Sequence, residues 1–314
     1  MKTIIVGKND ENQRLDKFLG KLIPDVPMSV LYKSLRKKRV KVNGKRVTDG
    51  SLRLCAGDSL DLYLNDELFG EKPTGIYQSL TPDLQVVYED GHILVMDKPW
   101  GMLSQSETEE SLEGHMRAYL MNKGEFCPEG ELTFLPSLCH RIDRNTDGLV
   151  IGAKDAESLR ILNEKIKNRE IRKFYLCELE DAPRPEQGEI RLWMKKDQRK
   201  NKMELTHEGD GDAVFCHTRY RVLKKGKPAL VEAELLTGRT HQIRAGFGSL
   251  GCPLVGDVKY GAEKNGRRFQ HLTAKRLVFS FVSDAGILQY LNGKEIVLPD
   301  RKGEKYASMD NGTQ

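Results

Sequence analysis
The polar run Cys139-His140-Arg141-Ile142-Asp143-Arg144-Asn145-Thr146-Asp147-Gly148 lies between Pro136 and an apolar, strand-like segment, Leu149-Val150-Ile151-Gly152-Ala153. A charged loop entering a buried strand is where catalytic side chains are commonly held. Three chemistries fit its residue types. Cys139 beside His140 suggests a thiol and its base, yet adjacent residues rarely point at each other. Asp143 with Asp147 suggests the paired carboxylates of glycosidic chemistry. A lone Asp143 beside arginines in a nucleic-acid cleft demands least, because an aspartate is already ionised near neutrality and needs no base to act as a nucleophile. The residues alone also leave open a turn whose Asp and Thr side chains bond local backbone groups.

A second polar loop, Leu236-Thr237-Gly238-Arg239-Thr240-His241-Gln242-Ile243-Arg244, follows an expected strand from Ala229 to Leu235. It reads as a helix start, with Thr240 near the cap and Arg244 one turn later, where it can hold an aspartate charged and oriented. His241 alone reads as a scaffold residue, and Tyr175 alone as a core tyrosine. Gly246-Phe247-Gly248-Ser249-Leu250-Gly251 matches the dinucleotide-binding pattern in form only. It does not follow a buried strand at the head of a βαβ unit, and no acidic residue stands about 20 positions on. Spacings suited to a metal are absent, so no metal is expected.

The elements that must position these loops follow from periodicity. Leu15, Phe18, Leu19 and Leu22 recur at helical spacing, and Ser29 is expected to cap a second helix running to about Lys38. Val40 and Val42 alternate with polar residues, Asn43-Gly44 is a hairpin turn, and Leu60, Leu62 and Leu64 alternate again. These residues predict a small basic α/β unit over 1–65, followed by a Gly- and Pro-containing linker over 66–83. A larger domain is expected over 84–300. It carries strands at 86–88, 93–96, 173–179, 213–223, 230–236 and 276–282, and a helix from about Asp155 with Leu159, Leu162 and Ile166 inward. Strands outnumber helices and several are neighbours in sequence, which predicts an α+β fold with a mixed, largely antiparallel sheet. A polar tail is expected over 301–314.

Charge narrows the partner. The 314 residues carry a net charge of +5, but residues 1–65 hold 14 Lys and Arg against 7 Asp and Glu, so the rest is slightly acidic. Between Lys33 and Arg46 stand Lys33, Arg36, Lys37, Lys38, Arg39, Lys41, Lys45 and Arg46, with no acidic residue. A solvated helix face usually mixes both signs, whereas a dense cluster of one sign suits a polyanion, each neutralised phosphate releasing counterions. No apolar run is long enough to span a membrane, and the six scattered cysteines read as reduced thiols, so an intracellular, cytoplasmic protein is expected.

Arg14-Leu15-Asp16-Lys17-Phe18-Leu19, the helix with Ser34, Leu35 and Arg36, and Val40-Lys41-Val42-Asn43-Gly44-Lys45 resemble a small RNA-binding domain first described in a ribosomal small-subunit protein. Further on, four ordered segments resemble the RluA-type family of pseudouridine synthases. They are Glu89 to Pro99 leading to Gly101-Met102, His140 to Leu149, Lys173-Phe174-Tyr175, and Gly238 to Arg244, continued by Pro253, Gly256-Asp257 and Lys259-Tyr260-Gly261. Ile142 replaces the usual Leu, Ala245-Gly246-Phe247 stands where Val and His are common, and Ser104-Gln105 differs from many members.

The resemblance implies a pseudouridine synthase fold and an isomerisation without cofactor. The bond from ribose to the base nitrogen breaks, the base turns, and the ribose bonds to carbon 5. It also implies that Asp143 is the catalytic nucleophile, that Tyr175 stacks on the base and can serve in proton removal, that Arg244 pairs with Asp143, and that Arg141 helps displace the uridine. The expected partner is structured RNA, large-subunit ribosomal RNA ahead of transfer RNA, acted on by a monomer. A non-catalytic RNA-binding or ribosome-assembly factor is the competing reading, and the joint presence of Asp143, Tyr175 and Arg244 argues against it.

Overall fold
The computed structural model describes residues 1–69, 75–264 and 269–300; the expected tail at 301–314 and the linker residues 70–74 lie outside the described residues. Two sheets form. In the first, β1 (Lys2–Ile5), β2 (Val40–Val42), β3 (Lys45–Arg46) and β4 (Ser59–Leu62) pair antiparallel in the order β1-β4-β2-β3. Helices α1 (Leu15–Leu22) and α2 (Met28–Arg36) close a core around Phe18, Leu19, Leu31 and Leu60. Asn43 and Gly44 both take positive φ, as a two-residue hairpin requires. Two details differ from expectation. Helix α2 begins at Met28 behind Pro27, whose fixed φ starts the turn, so Ser29 lies inside the helix rather than at its cap. The helix also stops at Arg36, and Lys38 turns to a φ of 55°.

The second sheet has eleven strands. They are β5 (Gln85–Glu89), β6 (Ile93–Lys98), β7 (Ser137–Leu138), β8 (Asp147–Ala153), β9 (Ile171–Leu179), β10 (Gln187–Asp197), β11 (Lys202–Thr206), β12 (Val214–Lys224), β13 (Ala229–Leu235), β14 (Leu272–Phe279) and β15 (Glu295–Val297). The main path runs β11-β10-β12-β13-β9-β14-β8-β6-β5, with β15 on β14 and β7 on β8. All its pairings are antiparallel except β14 with β8, so the sheet is mixed and largely antiparallel, as predicted. Strand β14 begins four residues before its expected start and ends three early.

Helices α3 (Leu112–Asn122), α4 (Ala156–Lys167) and α5 (Gln242–Ser249) complete the layer structure. Residues of β6 and β8 alternate between two cores. Leu94, Met96 and Val150 join the cluster of α3 and α5, while Ile93, Val95, Leu149 and Ile151 join that of α4 and Leu288. Burial on both faces explains why these strands read as continuous apolar runs. Asp155 caps α4 by accepting from the Ser158 N–H, and Leu162 of α4 is fully buried. Residues 75–83, expected as linker, include a 3-10 turn at Ile76–Ser79 whose Tyr77 is buried against Phe126.

One rung of the large sheet sets the geometry of the site. Gly148 on β8, Ala274 on β14, Tyr175 on β9 and Ala233 on β13 are successive partners across four strands. The small residues beside Tyr175 leave room for its ring. At Gly148 φ is +104°, and an added Cβ would lie 2.3 Å from the Ala274 carbonyl oxygen, so only glycine lets β8 approach β14 there.

Candidate active site
The loop before β8 is clamped from several sides. Ser104 Oγ donates to the Ile142 carbonyl (2.8 Å) and accepts from the Ile142 N–H (3.2 Å). Lys98, fully buried, donates through Nζ to the carbonyls of Pro99 (2.9 Å), Met102 (2.8 Å) and Arg144 (3.0 Å). Gly101 N–H also donates to the Arg144 carbonyl, and Arg144 Nε returns a bond to the Gly101 carbonyl. Asp143 is thus carried on a loop fixed on both flanks, with its carboxylate 28 % exposed. Neither rival chemistry survives this geometry. Cys139 is packed in the apolar cluster under α4, where burial pushes its thiol up. Asp147 is spoken for at the strand entrance, where Thr273 Oγ1 donates to its Oδ1 at 2.8 Å.

The loop between β13 and α5 closes the other wall. Its N-cap is His241 at a left-handed φ of 53°, with Thr240 the residue before it. The loop is held by Gln242, whose Oε1 accepts from the Arg239 N–H and the Thr237 hydroxyl while its Nε2 donates to the His217 carbonyl. One turn into α5, Arg244 lays its fork on Asp257, Nε to Oδ2 at 2.6 Å and Nη2 to Oδ1 at 2.7 Å. Its remaining nitrogen, Nη1, stands 3.8 Å from Asp143 Oδ2, and His241 Nε2 stands 4.0 Å from the same oxygen. The pairing implied for Arg244 and Asp143 is therefore a long contact, and the tight partner of Arg244 is Asp257.

A cavity of about 760 Å³ opens between these walls, lined by Arg141, Asp143, Tyr175, His241 and Arg244 among others. The four central residues expected from sequence, Asp143, Tyr175, Arg244 and Arg141, thus meet in one place. Burial raises the Asp143 carboxyl above the usual aspartate range, and the positive charges of Arg244 and Arg141 pull it part of the way back. Burial raises the Tyr175 hydroxyl too, with the Asp143 charge adding to it. For Arg244 burial opposes the charge, but the Asp257 hydrogen bonds and charge outweigh it, so the guanidinium is held more firmly protonated. Burial brings Lys98 down to about 8. A carboxylate raised but flanked by cations, in a cavity it shares with a tyrosine ring, suits attack on a flat, neutral ring system better than metal binding or hydrolysis.

The other expected residues lie in the N-terminal unit, Lys33 and Arg36 on α2, Lys37, Lys38 and Arg39 between α2 and β2, Lys41 on β2 and Lys45 on β3. Lys33, Arg36, Lys37, Lys38, Arg39 and Lys45 are exposed and Lys41 is half-buried, its Nζ 5.1 Å from the Tyr63 ring centre. Among the described residues, none of them forms an ion pair. The N-terminal unit meets the larger one through polar contacts outside the two sheets, among them Gln13 with Thr133 and Arg160 of α4 with the Glu11 carbonyl. Sequence reasoning did not assign Lys98, Ser104, Asp257 or Tyr260 a part in the site. Asp257 and Tyr260 stood within the quoted segments, but only the fold shows what they face.

A carboxylate and a tyrosine ring in one arginine-lined cleft of a mixed sheet that follows a basic module suit an enzyme acting on nucleic-acid bases. Residues 92–249 match the family model described as RNA pseudouridylate synthase, and residues 13–60 match the S4 domain. A relative from Mycoplasma capricolum, named an uncharacterized RNA pseudouridine synthase, is 30 % identical over 95 % of this chain and 97 % of its own. A Rickettsia bellii protein named ribosomal large subunit pseudouridine synthase C is also 30 % identical, over 83 % of this chain and 87 % of its own. The fold resembles human RNA pseudouridylate synthase domain containing 4, with a TM-score of 0.54 at 23 % identity over 69 % of this chain and 89 % of that one. The chain belongs to the RNA pseudouridylate synthase family and carries an S4 domain at its N-terminus. Its activity is the isomerisation of uridine to pseudouridine in RNA. Among the described residues no helix is long and apolar enough to cross a membrane.

Proposed function
We propose that the protein converts uridines of large-subunit ribosomal RNA to pseudouridine, with Asp143 as the nucleophile. The observation that carries this reading is the convergence of Asp143, Tyr175, Arg141 and Arg244 on one cavity. A uracil within folded RNA is reached only after flipping, and Arg141, exposed at the mouth, is suited to fill the vacated space. Tyr175 offers a flat face against the base and stands near enough to take part in proton removal. Arg244, anchored by Asp257, supplies positive charge to Asp143 from a fixed direction. A unit at 1–65 recruits RNA through Lys33, Arg36, Lys37, Lys38, Arg39, Lys41 and Lys45, while 84–300 carries the chemistry. Asp143, Tyr175, Arg141 and Arg244 form the set within one chain, so the reading requires no second copy, and a ribosomal substrate fits a cytoplasmic enzyme. The Rickettsia relative's name favours the ribosomal target.

Two experiments test this. Asp143→Asn is expected to abolish tritium release from RNA labelled at carbon 5 of uridine while RNA binding persists; retained turnover would end the assignment of Asp143. Pseudouridine maps of total RNA with and without the gene are expected to differ within large-subunit ribosomal RNA, and a difference confined to transfer RNA would redirect the substrate.

A further inference from the structure
The hydrogen position of His241, which lines the cavity, follows from its neighbours. Its Nδ1 lies 2.8 Å from the Tyr260 hydroxyl, and the two rings meet edge to face at 5.7 Å. That hydroxyl oxygen already accepts the Met203 backbone N–H at 3.0 Å. Tyr260 is buried, and among the described residues His241 Nδ1 is the acceptor within reach of the hydroxyl's own hydrogen. The phenol therefore donates to Nδ1, and the imidazole proton sits on Nε2. Nε2 faces Asp143 Oδ2 at 4.0 Å.

Two further features bear on this ring. Burial, with Arg244 and Lys259 adding to it, lowers the imidazole to about 4, so the ring is neutral at physiological pH. His241 also holds a left-handed φ at the head of α5, a strained conformation for a residue with a side chain and one that tends to be kept where function needs it.

We propose that His241 is a positioning residue for Asp143: an uncharged Nε2–H donor, fixed in that tautomer by Tyr260, that orients the carboxylate for attack. The inference rests on Asp143 being the nucleophile. Arg244 cannot do this work alone, because its fork is committed to Asp257 and only Nη1 approaches Asp143. A neutral donor steers a carboxylate while drawing less on its charge than a second cation. At 4.0 Å the two groups are beyond a hydrogen bond, and the proposal requires that they close to about 3 Å as the substrate is held.

The test uses the full chain and whichever unmodified transcript, ribosomal or transfer, supports tritium release. His241→Ala is expected to lower kcat about 10- to 100-fold, the scale of a misplaced reacting group, with KM changed less than about threefold. His241→Gln, whose amide can reach the Nε2 position, is expected to recover most of kcat. Tyr260→Phe should lower kcat as well, and the His241→Ala/Tyr260→Phe double variant should be no slower than His241→Ala alone, because Tyr260 acts through His241. A wild-type kcat in His241→Ala, or single losses that multiply in the double variant, overturns the proposal. If His241→Ala does not fold, His241→Gln and Tyr260→Phe decide: near-full kcat in the first with a loss in the second supports it, and equal kcat in both overturns it. Asp143→Asn separates the two levels. If that variant still turns over, the nucleophile assignment fails; if it is dead while His241→Ala is fully active, only the role of His241 fails.

Discussion

The two sheets deploy their cations in opposite ways. On the outer face of the large sheet every arginine of the ladder meets a glutamate. Arg172 and Arg219 share Glu234, Arg219 and Arg191 share Glu189, and Arg276 bridges Glu232 and Glu295. In the unit that carries the small sheet, on α2 and the segment between it and β2, Lys33, Arg36, Lys37, Lys38 and Arg39 stand exposed, with no ion pair among the described residues. Cross-strand pairing cancels the field of the ladder, while an unpaired cluster keeps its field for a polyanion. Cation count alone therefore says little about where RNA is held; what matters is whether the neighbouring strand supplies a carboxylate.

The largest expected effect separates chemistry from this binding. Asp143→Asn should lower turnover by about 1,000-fold or more in tritium release, yet leave RNA affinity in a filter-binding assay within about threefold, since affinity resides elsewhere. A parallel loss of affinity would break the contrast. The same variant should not lower the thermal unfolding midpoint at pH 7. The Asp143 carboxyl is raised in the folded protein, so its ionised form costs stability. That cost is absent below the unfolded pKa and grows as pH rises through the folded one.

Next in size, converting Lys33, Arg36, Lys37 and Lys38 to Gln should weaken RNA binding at low salt. It should also flatten the slope of log K against log salt by about 0.7 to 0.9 for each phosphate that is no longer neutralised. An unchanged slope would make the cluster a merely solvated face. Arg141→Gln should act on the acid limb of the kcat/KM profile. Burial already lifts that limb above the ordinary aspartate range, Arg141 opposes the lift, and its removal should move the limb to still higher pH. The smallest effect is expected from Arg276→Gln in the ladder, with RNA affinity changed less than about twofold and the salt slope unaltered. A slope change as large as that of the small-sheet variant would show that the ladder also holds RNA.

Much of the scaffold was legible because its cues are local. The apolar runs of β6 and β8, the Asp155 cap and the Asn43-Gly44 turn each depend on a few adjacent residues. Strands β10 and β11 and helix α3 went unassigned, although Ile190, Leu192 and Met194 alternate along β10. Thr240 stands next to the cap, as expected, but that the cap falls on His241 was not legible, because Gln242 organises that loop through bonds to Thr237, Arg239 and His217, the last from another strand.

The site divides in the same manner. The residues themselves raised Asp143, Arg244 and the basic cluster from Lys33 to Arg46, while Tyr175 and Arg141 were marked by the resemblance of ordered segments to a known family; segment order and a run of like charge are both properties of sequence. Which carboxylate Arg244 grips, which tautomer His241 holds, and why Lys98 is buried were decided by tertiary structure. Asp257, Tyr260 and the Arg144 carbonyl reach those side chains from elsewhere in the chain, and hydrogen bonds depend on distance and direction in space, which residue order does not encode.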